Sequence, residues 1–188
     1  MTKASLLLPI LLLTGCTAME LPFTPGNQQQ RVSSGTPGIA VSRTQPPRLE
    51  SISFLSERAF VPTRAQGCIT ELIPPAGEDA EVIRYLGEDV LNAGGEIAAT
   101  GSQWGIIPSQ YHIRFQLSAL AHHNGTTYGF NRISLAQEDA WGLNNHDFEP
   151  LPPSGARTQK VYNELQALYR RLDECLAEPS SARHRKDT

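Results

Sequence analysis

The feature that most constrains this chain is the alternation in "QYHIRFQLSALAHHNGTTYGFNRISL", where Tyr111, Ile113, Phe115 and Leu117 interleave with His112, Arg114, Gln116 and Ser118. A period of two over this length demands a strand with one buried face. Asn124-Gly125 then reads as a hairpin turn. A three-residue loop with Gly125 left-handed pairs His122 with Thr126, which sets Ile133 opposite Phe115 and Leu135 opposite Ile113. The same register sends Tyr128 and Phe130 to the opposite face, beside Ser118 and Leu120. Tyr128, Phe130 and Leu120 are therefore the candidate interaction face, covered either by a linker or loop or by a partner.

The flanking segments complete an α+β reading. "LESISFLSERAFV" is consistent with an opening strand carrying Ile52 and Phe54 on one face, interrupted by Pro62. A short apolar run from Cys68 to Ile73 reads as a second strand. Gly77-Glu78-Asp79 then starts an expected helix whose Val82, Ile83, Leu86, Val90 and Ala93 recur at helical spacing, with Gly94-Gly95 as its cap. At the far end, Val161, Leu165, Leu168, Leu172 and Cys175 form one helical stripe, with Thr158 as its N-cap. The expected architecture is a small antiparallel sheet packed with two helices, in one domain over residues 50–178, followed by a polar tail at 179–188.

Before that domain stands a different kind of sequence. Lys3 and the apolar run from Leu6 to Leu13, too short to span a bilayer, end at Leu13-Thr14-Gly15-Cys16. This segment resembles the lipobox of bacterial lipoprotein precursors. The resemblance implies removal of residues 1–15 as a signal peptide, a diacylglyceryl group on the Cys16 thiol, and acylation of the new amino terminus. Two or three acyl chains form a durable membrane anchor where one does not. Thr17, rather than Asp, after the cysteine implies the outer membrane of a Gram-negative host, with the domain facing the periplasm. Residues 17–49 contain five prolines and the run Gln28-Gln29-Gln30. They read as a flexible tether, with an end-to-end distance of roughly 30 Å as a coil.

With Cys16 lipidated, Cys68 and Cys175 remain, and an exported chain favours a disulfide between them. Two buried thiols or a redox pair are the alternatives, although no CxxC spacing supports the latter. The order strand, cysteine, helix, Gly-Gly, hairpin is similar to that of small outer-membrane lipoproteins such as the Rcs-pathway stress sensor. The second cysteine departs from that group by sitting on a C-terminal helix, and no functional residue carries over.

Chemistry-bearing clusters are sparse. A formal net charge of −3 and the absence of a basic run argue against nucleic acid as a partner. His122-His123 and His146-Asp147 invite a metal, but neighbours on a strand face opposite ways. His112 and His122 are also ten residues apart, about 33 Å along a strand. Ser134, His146 and Asp139 lack any nucleophile-elbow context. Glu88/Asp89 and Glu138/Asp139 read as solvated pairs, and Trp104 and Trp141 as loop anchors rather than sugar platforms. No catalytic residue, metal ligand or cofactor is therefore assigned. The expected role is a non-enzymatic binding or assembly accessory of the envelope, with a cell-wall or glycan hydrolase and a purely structural lipoprotein as alternatives.

Overall fold

The structure, a computed structural model, describes residues 31–77, 80–103 and 105–177. The expected lipobox, the first part of the expected tether, Glu78-Asp79, Trp104 and the polar tail lie outside the described residues. The elements run β1 (Ile39–Val41), β2 (Leu49–Ser56), α1 (Pro62–Leu72), β3 (Ile83–Leu86), β4 (Val90–Gln103), β5 (Ile107–His122), β6 (Gly125–Asp139), β7 (His146–Pro150) and α2 (Ala156–Ala177). The strands form one seven-stranded antiparallel sheet in the order β1-β2-β6-β5-β4-β3, with β7 also paired to β6. The α+β class is as expected, but the sheet dominates.

Long alternating strands build the centre. On β5, Tyr111, Ile113, Phe115, Leu117 and Ala119 are buried, and on β4 Leu91, Ala93, Ile97 and Ala99 join them. Both helices cover that face. α2 lays Val161, Leu165, Leu168 and Leu172 onto it, while α1 contributes Ala65, Cys68 and Ile69. Each large side chain fully buried in this way stabilises by about 1.5–3 kcal/mol.

Between β5 and β6 the register changes once. From the turn inward His122 pairs with Gly125 and Gln116 with Asn131, whereas further along Arg114 pairs with Ser134 and Ile113 with Leu135. One extra residue is thus inserted in β6, and Arg132 beside it has φ 49°, which makes a β-bulge. The expected pairing of Ile113 with Leu135 holds beyond the bulge. The expected pairing of His122 with Thr126 does not, because the turn is one residue tighter. The bulge therefore puts Thr126, Tyr128 and Phe130 on the same face as Ile133, Leu135 and Gln137. Tyr128 and Phe130 are 1% and 0% exposed, so they are core residues and not an interaction face. Leu120 stays on the outer face, 43% exposed.

Four further corrections follow from packing. Cys68 sits on α1 rather than on a strand: Pro62 starts that helix, where its fixed φ and missing N–H fit. Ala65, Cys68, Ile69 and Leu72 then share a helical stripe. The expected helix after Gly77 is instead β3, a turn closed by Gly87 N–H donating to the Val90 carbonyl at 2.8 Å, and β4. Gly94-Gly95 is not a cap but lies inside β4. A Cβ on Gly95 would strike the Ile73 side chain and come within 2.6 Å of the Pro74 carbonyl oxygen, so glycine is what lets the end of α1 rest on the sheet. Thr158 lies two residues inside α2, its hydroxyl donating to the Pro152 carbonyl at 2.8 Å.

The described fold also starts nearer the amino terminus than expected. β1 pairs with β2 through Ile39 and Ile52, and Val32 is buried with its N–H donating to Gln159 Oε1 at 2.7 Å. The folded domain begins by residue 32 rather than 50. Without the expected strand at Cys68 and helix after Gly77, the element order behind the resemblance to the Rcs-type lipoproteins is not the order observed. The Cys68 and Cys175 sulfurs are 2.07 Å apart, at disulfide distance, and join α1 to α2 across 107 residues.

Two measurements test this packing. Gly95→Ala should lose about 1–3 kcal/mol in chemical denaturation, because the added methyl must displace Ile73 or the α1 terminus. Replacing Cys68 and Cys175 together by Ala should lose as much as about 4–5 kcal/mol, the chain-entropy value for a loop of this length. The wild type treated with reductant should move in the same direction.

Candidate functional site

The bulge at Arg132 also divides the edge of β6. Residues 126–131 pair with β2, and residues 134–137 pair with β7. Where the two partners part, Leu49 N–H donates to the Leu151 carbonyl at 2.9 Å and closes the floor. A groove of about 750 Å³ opens there, lined by the segment from Ser42 to Glu50, by Asn131 to Ser134 and by Pro150. Its walls mix apolar surface from Pro46, Leu49, Ile133 and Pro150 with the hydroxyls of Ser42, Thr44 and Ser134, the guanidinium groups of Arg48 and Arg132, and the Glu50 carboxylate. Within the groove, Ser42 Oγ and Thr44 Oγ1 are 2.7 Å apart.

Arg132 holds a backbone conformation that costs a non-glycine residue about 1–3 kcal/mol. Its guanidinium lies at the boundary between groove and outer sheet face. There the Gln116 amide, oriented with its oxygen towards the two guanidinium groups as their donors require, accepts from Arg84 Nη1 at 2.6 Å and from Arg132 Nη1 at 3.3 Å. Alongside, Glu96 accepts from Arg114 Nη2 at 2.9 Å and lies 3.1 Å from His112 Nδ1, while the Arg114 guanidinium stacks 3.8 Å from the Phe148 ring centroid. The face of the sheet opposite the helices is therefore a polar surface with three arginines. Chemically, the groove can accept a polar ligand with an apolar side. Glu50 alone contributes a carboxylate to its lining.

The other sequence candidates are dispersed. His146 Nδ1 donates to the Asp147 carbonyl at 2.9 Å and its Nε2 accepts from Arg157 at 2.8 Å, so both ring nitrogens are engaged. Asp139 is spent on its own loop: its carboxylate accepts from the N–H groups of Trp141, Leu143 and Asn144 at 2.9, 3.1 and 2.6 Å. Burial pushes this carboxyl up, but the backbone donors outweigh burial and hold it below the usual range. Ser134 lines the groove, away from that arrangement. Among the described residues, no group of three or more His, Cys, Asp or Glu is placed to hold a metal ion.

At the opposite end of the sheet from Asp139, Ser56 Oγ donates to Asp173, which also accepts from Arg58 Nε at 3.0 Å. Nearby, the buried Tyr128 hydroxyl has no hydrogen-bond partner among the described residues. Burial, with the nearby Asp173 and Tyr169, drives its ionisation far above the ordinary range. The groove was missed by sequence reasoning because it depends on the bulge, and Asn131-Arg132 carries no glycine to mark a left-handed residue.

The Asp139 loop has a definite pH signature. A carboxyl depressed in the folded state contributes stability above its unfolded value, about 3.9, and loses it as pH falls through the folded value. Protection of the Leu143 and Asn144 amides, taken relative to their intrinsic exchange rates, should hold from neutral pH down to about 4 and fall below it. Asp139→Ala should expose the same amides at neutral pH with the rest of the sheet still protected.

No family model matches this chain, and no curated protein matches it. Among solved structures, a DUF4468 family protein from Bacteroides ovatus is similar over 74% of this chain and 91% of that one, at 12% identity and a TM-score of 0.45.

Proposed function

We propose that this chain is a lipoprotein anchored in the outer membrane through Cys16, its domain facing the periplasm, acting as a non-enzymatic binding or assembly accessory of the envelope. The observation that carries this reading is Leu13-Thr14-Gly15-Cys16 at the end of a short apolar run with a basic start. The cysteine pair at disulfide distance fits an oxidising compartment. No helix among the described residues is long and apolar enough to cross a membrane, which fits anchoring by lipid. The groove beside Arg132 fits a binding role, and its mixed lining suits a ligand that presents hydrogen-bonding groups on one side and apolar surface on the other.

Mass spectrometry of the mature protein tests the anchor. The amino-terminal peptide should begin at Cys16 and carry acyl chains, and Cys16→Ala should abolish both processing and lipid mass. Thr17→Asp should shift the lipidated protein from the outer to the inner membrane fraction. A mature terminus elsewhere, with an unmodified Cys16, would overturn the reading.

A further inference from the structure

Three of the seven large apolar side chains left exposed among the described residues sit together at one end of the sheet. Ile106 is 72% exposed, Trp141 62% and Leu143 60%. Ile106 immediately precedes β5, while Trp141 and Leu143 lie on the loop joining β6 to β7. These positions are neighbours, because Ser109 pairs with Asp139 and Ala140 N–H donates to the Pro108 carbonyl at 3.1 Å. The Asp139 carboxylate fastens the second loop from within through the Trp141, Leu143 and Asn144 amides. Two large apolar side chains are thus held out in water by a built turn.

The polypeptide that leads to Cys16 arrives at the same end. Val32 is held by Gln159 in the first turns of α2. The adjacent Lys160 Nζ donates to the Thr100 carbonyl at 2.8 Å, on the last part of β4 before Ile106. Arg157, in the same turn, donates to His146 at the end of the Trp141 loop. Fifteen residues, Thr17 to Arg31, separate Cys16 from this point, and a chain of that length spans at most about 50 Å. The 22 residues of α2 alone run about 33 Å away from this end. The Ile106, Trp141 and Leu143 end is therefore the one at which the chain from Cys16 enters the described domain.

Resting on the lipoprotein reading, we propose that Ile106, Trp141 and Leu143 dock into the boundary between headgroups and acyl chains of the bilayer that holds the Cys16 lipid. Tryptophan flanked by aliphatic side chains suits that boundary, where its ring is buried and its N–H stays hydrated. The anchor supplies a high local concentration of bilayer, so a small apolar contact is sufficient. Docking would orient the domain with the β5–β6 turn and the Ser56-Asp173 corner pointing away from the membrane.

The test uses the full mature lipidated protein in phosphatidylethanolamine–phosphatidylglycerol vesicles containing brominated phosphatidylcholine. Trp104→Phe leaves Trp141 as the reporter. Its emission should fall at least twofold on brominated vesicles, and its quenching by acrylamide should weaken. Leu143→Ser together with Ile106→Ser should cancel much of the bromine effect while the protein still floats with vesicles. In the chain with native tryptophans, hydrogen exchange across residues 140–145 should slow on vesicles, which covers a failure of Trp104→Phe to fold. Protein that carries lipid and floats, but whose Trp141 stays unquenched and whose loop exchange is unchanged, would overturn docking and leave the anchor standing. Protein without acyl mass that does not float would overturn both. Protection that rises with protein concentration in detergent, without vesicles, would assign the face to a second copy and overturn bilayer docking.

Discussion

One inserted residue at Arg132 governs the architecture. The period of a strand is two, so a single extra residue exchanges the faces of everything on one side of it. Here it allows Thr126, Tyr128 and Phe130 to face the helices along with Ile133 and Leu135, which no regular strand could do. The ring contacts of Phe130 with Phe54 and Phe115, at centroid distances of 6.0 and 5.3 Å, depend on it. So does the contact of Tyr128 with Tyr169 on α2, at 5.6 Å. The strained backbone at Arg132 is offset by a core that would otherwise lose two aromatic side chains.

The same residue links core to surface. By bending β6 it gives one edge two partners in succession, β2 and then β7, and the groove is the space between them. Its shape is thereby tied to packing on the far side of the sheet. Such a groove is largely pre-formed, which limits the ordering cost of binding.

α2 acts as the clamp of the molecule. Near its start it holds Val32, Thr100 and His146, drawing the segment before β1, β4 and β7 together. Near its end, Asp173 holds Ser56 and Arg58, Arg64 donates to the Leu176 carbonyl, and Cys175 meets Cys68 of α1. All of these contacts except Arg157 with His146 span 60 residues or more, so they constrain the chain far more than local turns do. The helix covers one face of the sheet and leaves the other, with Arg84, Arg114 and Arg132, to solvent.

The sequence by itself determined the elements whose periodicity is long and unbroken: β5 with its alternating Tyr111 to Leu117, the stripe of α2 that ends at Cys175, the strand through Ile52 and Phe54, and the pairing of the two cysteines. The Leu13-Thr14-Gly15-Cys16 segment, on which the proposed anchoring rests, is likewise read without reference to a fold. Only the tertiary structure decided the rest. Val82, Ile83, Leu86, Val90 and Ala93 fit a helix and a strand pair about equally, and the edge of β5 selected the strands by offering backbone partners. Cys68 and Ile69 lie in a run too short for periodicity to distinguish helix from strand. Gly95 looked like a cap because its true role, making room for Ile73, involves a residue on another element. The groove and the fate of Tyr128 and Phe130 rest on a bulge at an arginine, whose cost is local but whose compensation comes from rings scattered across β2, β5 and α2. A pattern read along the chain registers that cost and not the contacts that outweigh it.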